Sequence, residues 1–327
     1  MDLLVLGGTA FLGRAIAEHA RERGHAVTCL ARGTTPPAEG VDFVVADRDD
    51  DDGLAAVADR RWDAVVDVTR QPGQARRAVR DLRTDHWVFV SSANAYRSFD
   101  SPDLPESAPL HEPLAGDVMA DMEQYGPAKV ACEDAFRAAE GTATIVRAGL
   151  IGGYGDDSGR SGYYPWRFAH PTGPDVLAPD APEATCGIVD VADLAEWIVL
   201  SAEERMDGAF NACGPSIPLT EILAAARRVA GPGAPPPRAV PAEVLAEAGI
   251  SGWMGPASLP LWIDDPADRF FGKMDAARAQ AAGLRTRSIE ETLASALAYE
   301  EVRETPRRAG LSDDEEIRLR AALDGAG

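Results

Sequence analysis

The sequence predicts an α/β fold, a doubly wound parallel sheet with a smaller, mainly helical C-terminal lobe. Short β-branched runs alternate with helix-like stretches through the first half. A glycine-rich turn directly follows the first of those runs. From Leu150 onward Gly, Pro and aromatic residues become frequent, and helical patterns follow.

Strands are expected at 3–6, 26–30, 42–45, 64–68, 87–91 and 142–147. An amphipathic helix is expected at 11–23, with Gly24 as its C-terminal cap. The stretch holding Gly152, Gly153, Gly155, Tyr163, Tyr164, Pro165 and Trp166 reads as irregular loops. Helices should follow near 191–200, 219–229, 242–248, 275–282 and 289–299. A last one should begin at Ser312, with Glu315 completing a capping box. The proline-rich stretch 232–241 reads as a stiff connector. With 327 residues and a hydrophobic fraction of 45%, both lobes can bury a core.

A formal charge of −21 repels a polyphosphate, so nucleic acid is not an expected partner. The run 47–52, broken only by Arg48, reads as a solvated loop and helix start. No apolar stretch is long enough for a membrane span, and the apolar start reads as a buried strand. The expected location is therefore cytoplasmic. Cys29, Cys132, Cys186 and Cys213 are scattered and read as buried hydrophobes. The five histidines lack ligand spacing, so no metal site is expected.

Gly7-Gly8-Thr9-Ala10-Phe11-Leu12-Gly13 joins strand to helix. Glycine in such a turn lets the backbone approach a pyrophosphate, and the helix start offers free N–H groups to it. Gly13 would let the helix pack closely on the sheet, although Ala10 replaces the middle glycine of the usual spacing. This Rossmann-type arrangement implies a dinucleotide cofactor held by Gly7, Thr9, Ala10, Phe11, Leu12 and Gly13. The second strand ends without an acidic residue for the ribose hydroxyls, and Arg32 stands beside it. That favours NADP(H), with NAD(H) as the alternative and a plain surface arginine as the bland reading. Asp47 is placed to reach the adenine amino group or to cap a helix. The expected division is a dinucleotide-binding domain over 1–150, rejoined by 186–213, and a substrate lobe over 151–185 and 214–327.

Tyr125 and Lys129 stand four apart and share a helical face. Pro127 is tolerated only in a first turn, so Tyr125 belongs at the helix N-terminus. The helix dipole and Lys129 would both favour the tyrosinate, suiting Tyr125 to exchange a proton with a carbinol or carbonyl. A hydrophobic strand precedes them and ends in Ser91 and Ser92. A serine at the C-terminal end of a parallel strand faces the ligand crevice.

With turn, serine and Tyr/Lys pair in this order, the chain resembles the extended, atypical short-chain dehydrogenase/reductases, the superfamily of the NAD-dependent epimerase/dehydratase group. In that family the catalytic hydroxyl lies four residues before a tyrosine, which from Tyr96 implies Ser92, with Ser91 as runner-up. The resemblance implies that Lys129 also holds the nicotinamide ribose. It extends through Arg147, Gly187 to Leu194, and Phe210-Asn211-Ala212, so it covers nearly the whole chain.

The favoured activity is NADP(H)-dependent oxidoreduction of a small polar substrate. The alternative is a nucleotide-sugar epimerase with tightly retained cofactor, and the least favoured is a non-catalytic dinucleotide or RNA binder. The family's dehydratases carry an Asp-Glu pair after the catalytic hydroxyl, where this chain has Ala93 and Asn94. Its nucleotide-sugar members tend to carry Asn after the sixth strand's arginine, where this chain has Ala148 after Arg147. Asn94, Tyr96, Tyr154, Tyr164 and Trp166 are candidate substrate contacts, with Tyr163, Trp253 and Trp262 as further ones and 259–263 as a wall. Arg160 and Arg167 suit an anionic substrate group, or are ordinary surface arginines. The resemblance also allows a homodimer.

Overall fold

A computed structural model describes residues 1–325. Seven strands form the central sheet: β1 (Asp2–Leu6), β2 (Ala26–Ala31), β3 (Asp42–Val45), β4 (Ala64–Asp67), β5 (His86–Ser92), β6 (Thr142–Ala148) and β7 (Gly208–Ala212). All pair in parallel, in the spatial order β7-β6-β5-β4-β1-β2-β3. The six strands expected from the sequence all form, each end within one residue. Strand order reverses between β1 and β4, which opens a crevice beyond the carboxyl ends of those strands.

Both sheet faces are covered, which explains the near-continuous apolar runs. Leu3 and Val5 turn to one face, where α1 (Phe11–Glu22) contributes Ile16 and Ala20 and a helix at Val191–Glu203 contributes Leu194 and Ile198. Leu4 and Leu6 turn to the other, against Ala75 and Ala78 of α2 (Pro72–Asp81) and Cys132 and Phe136 of α3 (Tyr125–Arg137).

A second core collects Tyr163, Tyr164 and Phe168 of α4 (Tyr163–Ala169) with side chains of three later helices, α5 (Leu219–Ala230), α6 (Ile289–Glu300) and α7 (Asp313–Gly325). Here the expectation of irregular loops needs correction. The part from 153 to 162 is irregular as expected, but Pro165 sits in the first turn of α4, where it costs no hydrogen bond, so the part from Tyr163 onward is helical and its tyrosines turn inward. The proline-rich connector is also partly a strand. Pro237–Val240 pairs in parallel with Val176–Pro179, with proline in the first strand position. The capping box of Ser312 and Glu315 forms as expected. Among the described residues no helix is long and apolar enough to cross a membrane.

Candidate active site

The glycine turn has the geometry that a dinucleotide needs. Gly7 adopts φ +93°, and a Cβ on Gly13 would collide with the Gly7 carbonyl oxygen, so only glycine lets α1 start this close to β1. Ala10 is the N-cap of α1, and no side chain caps that helix. The first-turn N–H groups are thus left for a ligand at the positive end of the helix. Thr9 and Leu12 are buried, and Phe11 takes φ +33° as it enters the helix. The residues present therefore fit a pyrophosphate.

Arg32 is exposed at the end of β2. Asp47 follows β3, and its carboxylate accepts a hydrogen bond from the Asp49 backbone N–H at 3.0 Å, capping a turn. Asp49 to Asp52 are exposed, as the acidic run suggested, but Arg48 departs from that picture. It turns inward and grips Asp67 with two hydrogen bonds, at 2.8 and 2.6 Å, both residues being buried.

The pleat of β5 separates the two serines. Ser91 points into the core, where its Oγ donates to Glu133 Oε1 at 2.5 Å. Ser92 is half-buried on the other side, its Oγ accepting from the Asn94 backbone N–H at 3.2 Å and donating to Asn94 Oδ1 at 3.1 Å. Tyr125 is the first residue of α3, as Pro127 required. A Cβ on Gly126 would collide with the Asn94 carbonyl oxygen, so this second glycine lets the start of α3 abut the turn after Ser92. Lys129 is buried one helical turn later, its Nζ 5.8 Å from the Tyr125 ring centroid. It donates to the carbonyl oxygens of Thr69 at 2.6 Å and Val90 at 2.7 Å. Serine, tyrosine and lysine thus gather at one end of the sheet.

Several expected substrate contacts lie elsewhere. Tyr96 is buried, donating to Asn211 Oδ1 at 2.6 Å and accepting from Arg147 Nη1 at 3.0 Å, so it braces β5 against β6 and β7. Tyr163 and Tyr164 are wholly buried in the second core. Arg167 is also buried, pairing with Glu316 and Asp313 at 2.7 Å each, and it ties α4 to α7. Trp166 stacks on His170 at 3.8 Å, with the Arg307 guanidinium on its other approach at 5.4 Å. Tyr154 is exposed and meets Tyr299 edge-on at 5.4 Å. Aromatic density in a glycine-rich stretch looked like a pocket lining, but helix formation turned most of it into core.

Asn94 keeps its place near the tyrosine, since its carbonyl oxygen abuts Gly126. Asn94 is exposed beside Ser92. The Arg160 guanidinium lies 4.8 Å from the Trp253 ring. Burial holds its pKa below the ordinary arginine value, with Asp156, Cys186 and Tyr125 acting in the opposite sense. Trp253 and Cys186 also line a cleft of about 540 Å³ that holds Trp262, Phe271, Arg269 and Lys273. Arg269 and Lys273 were not singled out in the sequence. Their signal was that Lys273 is one of only two lysines in the chain, the other being Lys129.

Residues 3–84 match the NAD dependent epimerase/dehydratase family. Similar solved structures span almost the whole chain. A Burkholderia cenocepacia protein assigned as an epimerase is 22% identical, covering 92% of this chain and 98% of its own, with a TM-score of 0.69. The fold is that of the extended short-chain dehydrogenase/reductases. UDP-glucose 4-epimerase from Thermotoga maritima, solved with UDP-glucose, is 16% identical over 92% of this chain and 99% of its own, with a TM-score of 0.67. The corresponding Stenotrophomonas maltophila enzyme, solved with NAD and a formylated UDP-arabinopyranose, is 19% identical over 92% and 98%, also at 0.67. No curated protein sequence matches the chain.

Proposed function

We propose that the chain is an NADP(H)-dependent oxidoreductase acting on a carbonyl or alcohol carbon of a small, anionic substrate. The observation that supports this reading is that Ser92 ends β5, Tyr125 starts the helix that abuts the turn after Ser92, and Lys129 lies beneath the Tyr125 ring. A bound nicotinamide dinucleotide supplies or accepts the hydride. Tyr125 moves the proton at its Oη, from its place at the start of α3. Ser92 donates a hydrogen bond to the substrate oxygen and gives up its bond to Asn94 to do so. Lys129 has two of its three N–H bonds fixed on carbonyls and would hold the nicotinamide ribose with the remaining one. Arg32 would hold a 2′-phosphate. Arg160, Arg269 and Lys273 gather positive charge in an otherwise acidic chain, which supports an anionic substrate.

Epimerisation is the second reading, favoured by the two UDP-sugar epimerases that share the fold. An epimerase keeps its dinucleotide through turnover, whereas a reductase must release it. The absorbance spectrum of protein purified without added cofactor, followed by NADPH consumption with a panel of ketones, separates the two. Net NADPH use by cofactor-free protein supports reduction. Tightly bound dinucleotide without net consumption supports epimerisation.

A further inference from the structure

Lys129 is held by a loop, and that loop is held by a charge pair that has no place in the chemistry itself. One of the two carbonyls gripping Lys129 belongs to Thr69, in the segment between β4 and α2 that is neither strand nor helix. The backbone N–H of Thr69 donates to Asp67 Oδ1 at 2.9 Å. Asp67 is wholly buried and takes both arms of Arg48, which also donates to the Gln74 carbonyl at 3.1 Å. The Thr69 hydroxyl closes the loop from the other side. It donates to Gln74 Oε1 at 2.7 Å and accepts from the Gln71 N–H at 3.0 Å.

An ion pair this deep is a costly way to gain stability, because desolvation of both charges offsets their attraction. A pair of leucines would fill the same space at comparable stability. What leucines would not supply is an acceptor for the Thr69 N–H, fixed in direction by the forked guanidinium behind it. We infer that Arg48 and Asp67 are positioning residues: they fix the backbone at Thr69 through its N–H, so that the Thr69 carbonyl, in the next peptide group, holds the Lys129 ammonium in place under Tyr125. The inference rests on the role given to Lys129 above, but the placement itself can be tested without catalysis.

Only Lys129 and Lys273 offer side-chain amines, so amine acetylation read by mass spectrometry has a built-in internal standard. Two double variants remove the ion pair in different ways. Arg48→Gln with Asp67→Asn keeps an oxygen for the Thr69 N–H, while Arg48→Leu with Asp67→Leu keeps none. The ratio of Lys129 to Lys273 acetylation should stay near the parent value in the first. It should rise about tenfold in the second, the factor expected from losing a hydrogen bond to a charged group. Equal ratios in the two variants would overturn the inference. If the leucine pair fails to fold, hydrogen exchange of the parent chain decides. The Thr69 amide must then be protected like a strand amide, and rapid exchange would overturn the inference. An unchanged acetylation ratio in the leucine variant would count against this placement whatever its activity, whereas a shifted ratio together with a parent chain that has no reductase activity would count against the proposed reaction alone.

Discussion

Arg147 and Glu133 meet edge to edge, Nε to Oε1 at 3.0 Å and Nη2 to Oε2 at 2.9 Å, both buried beside Ser91. Burial alone would raise the Glu133 pKa, but the Arg147 hydrogen bonds and charge outweigh it and hold the carboxyl below its ordinary value. The pair joins β6 to α3, the strand and helix flanking the serine end of β5. Arg147→Met would leave the buried Glu133 with only Arg137 and Ser91 as partners, and should destabilise the chain by about 1–3 kcal/mol. Urea unfolding at neutral pH checks this. A loss under about 1 kcal/mol would mean that the pair contributes little.

Gly13→Ala should abolish dinucleotide binding while the rest of the fold persists. The new methyl must displace the Gly7 carbonyl, and with it the turn. Fluorescence titration with NADPH should show a loss of about a hundredfold or more.

Stability should fall on mild acidification because of His86. Burial pushes its pKa down to about 4 from 6.5, so it stays neutral between Thr142 Oγ1 at 2.8 Å and Thr144 Oγ1 at 3.0 Å. Between those two values the unfolded chain binds more protons than the folded one, so stability rises with pH across that window. Stability is therefore lost as pH falls from 6.5 to about 4, by on the order of 2–3 kcal/mol. Unfolding free energies of parent and His86→Gln at several pH values in the window check this: the parent should lose stability relative to the variant as pH falls.

The parent chain should bind NADPH more tightly than NADH. Arg32→Ala should weaken NADPH about tenfold and leave NADH within about twofold, because only the 2′-phosphate would touch the guanidinium. Dissociation constants for both dinucleotides decide it, and tighter NADH binding by the parent would sink the NADP(H) assignment.

The fold was legible because each parallel strand carries its own apolar run and each strand end its own punctuation. Ser92 was separable from Ser91 by its spacing to Tyr96, and the pleat of β5 puts the two on opposite sides. Tyr96 itself misled. Its spacing identified the serine, yet its hydroxyl faces Asn211 and Arg147, partners brought together only by the pairing of β5, β6 and β7. Tyr164 and Arg167 misled because the proline that looked like a loop residue sits in a helix's first turn. Arg48 was visible as the one break in an acidic run, but its buried partner lies 19 residues away, across the sheet. Local pattern shows what a segment becomes, whereas long-range contacts decide what each polar side chain faces.

The proposed reaction is hydride transfer to a carbonyl with Tyr125 carrying the proton. The direct measurement uses NADPH deuterated at the transferring position of the nicotinamide, incubated with the parent chain and with Tyr125→Phe across a panel of anionic carbonyl compounds. Deuterium is expected on the product carbinol carbon with the parent chain, and almost none with Tyr125→Phe even though that variant binds NADPH normally. Equal deuterium transfer by the two proteins, or none by the parent on any anionic carbonyl, would contradict it.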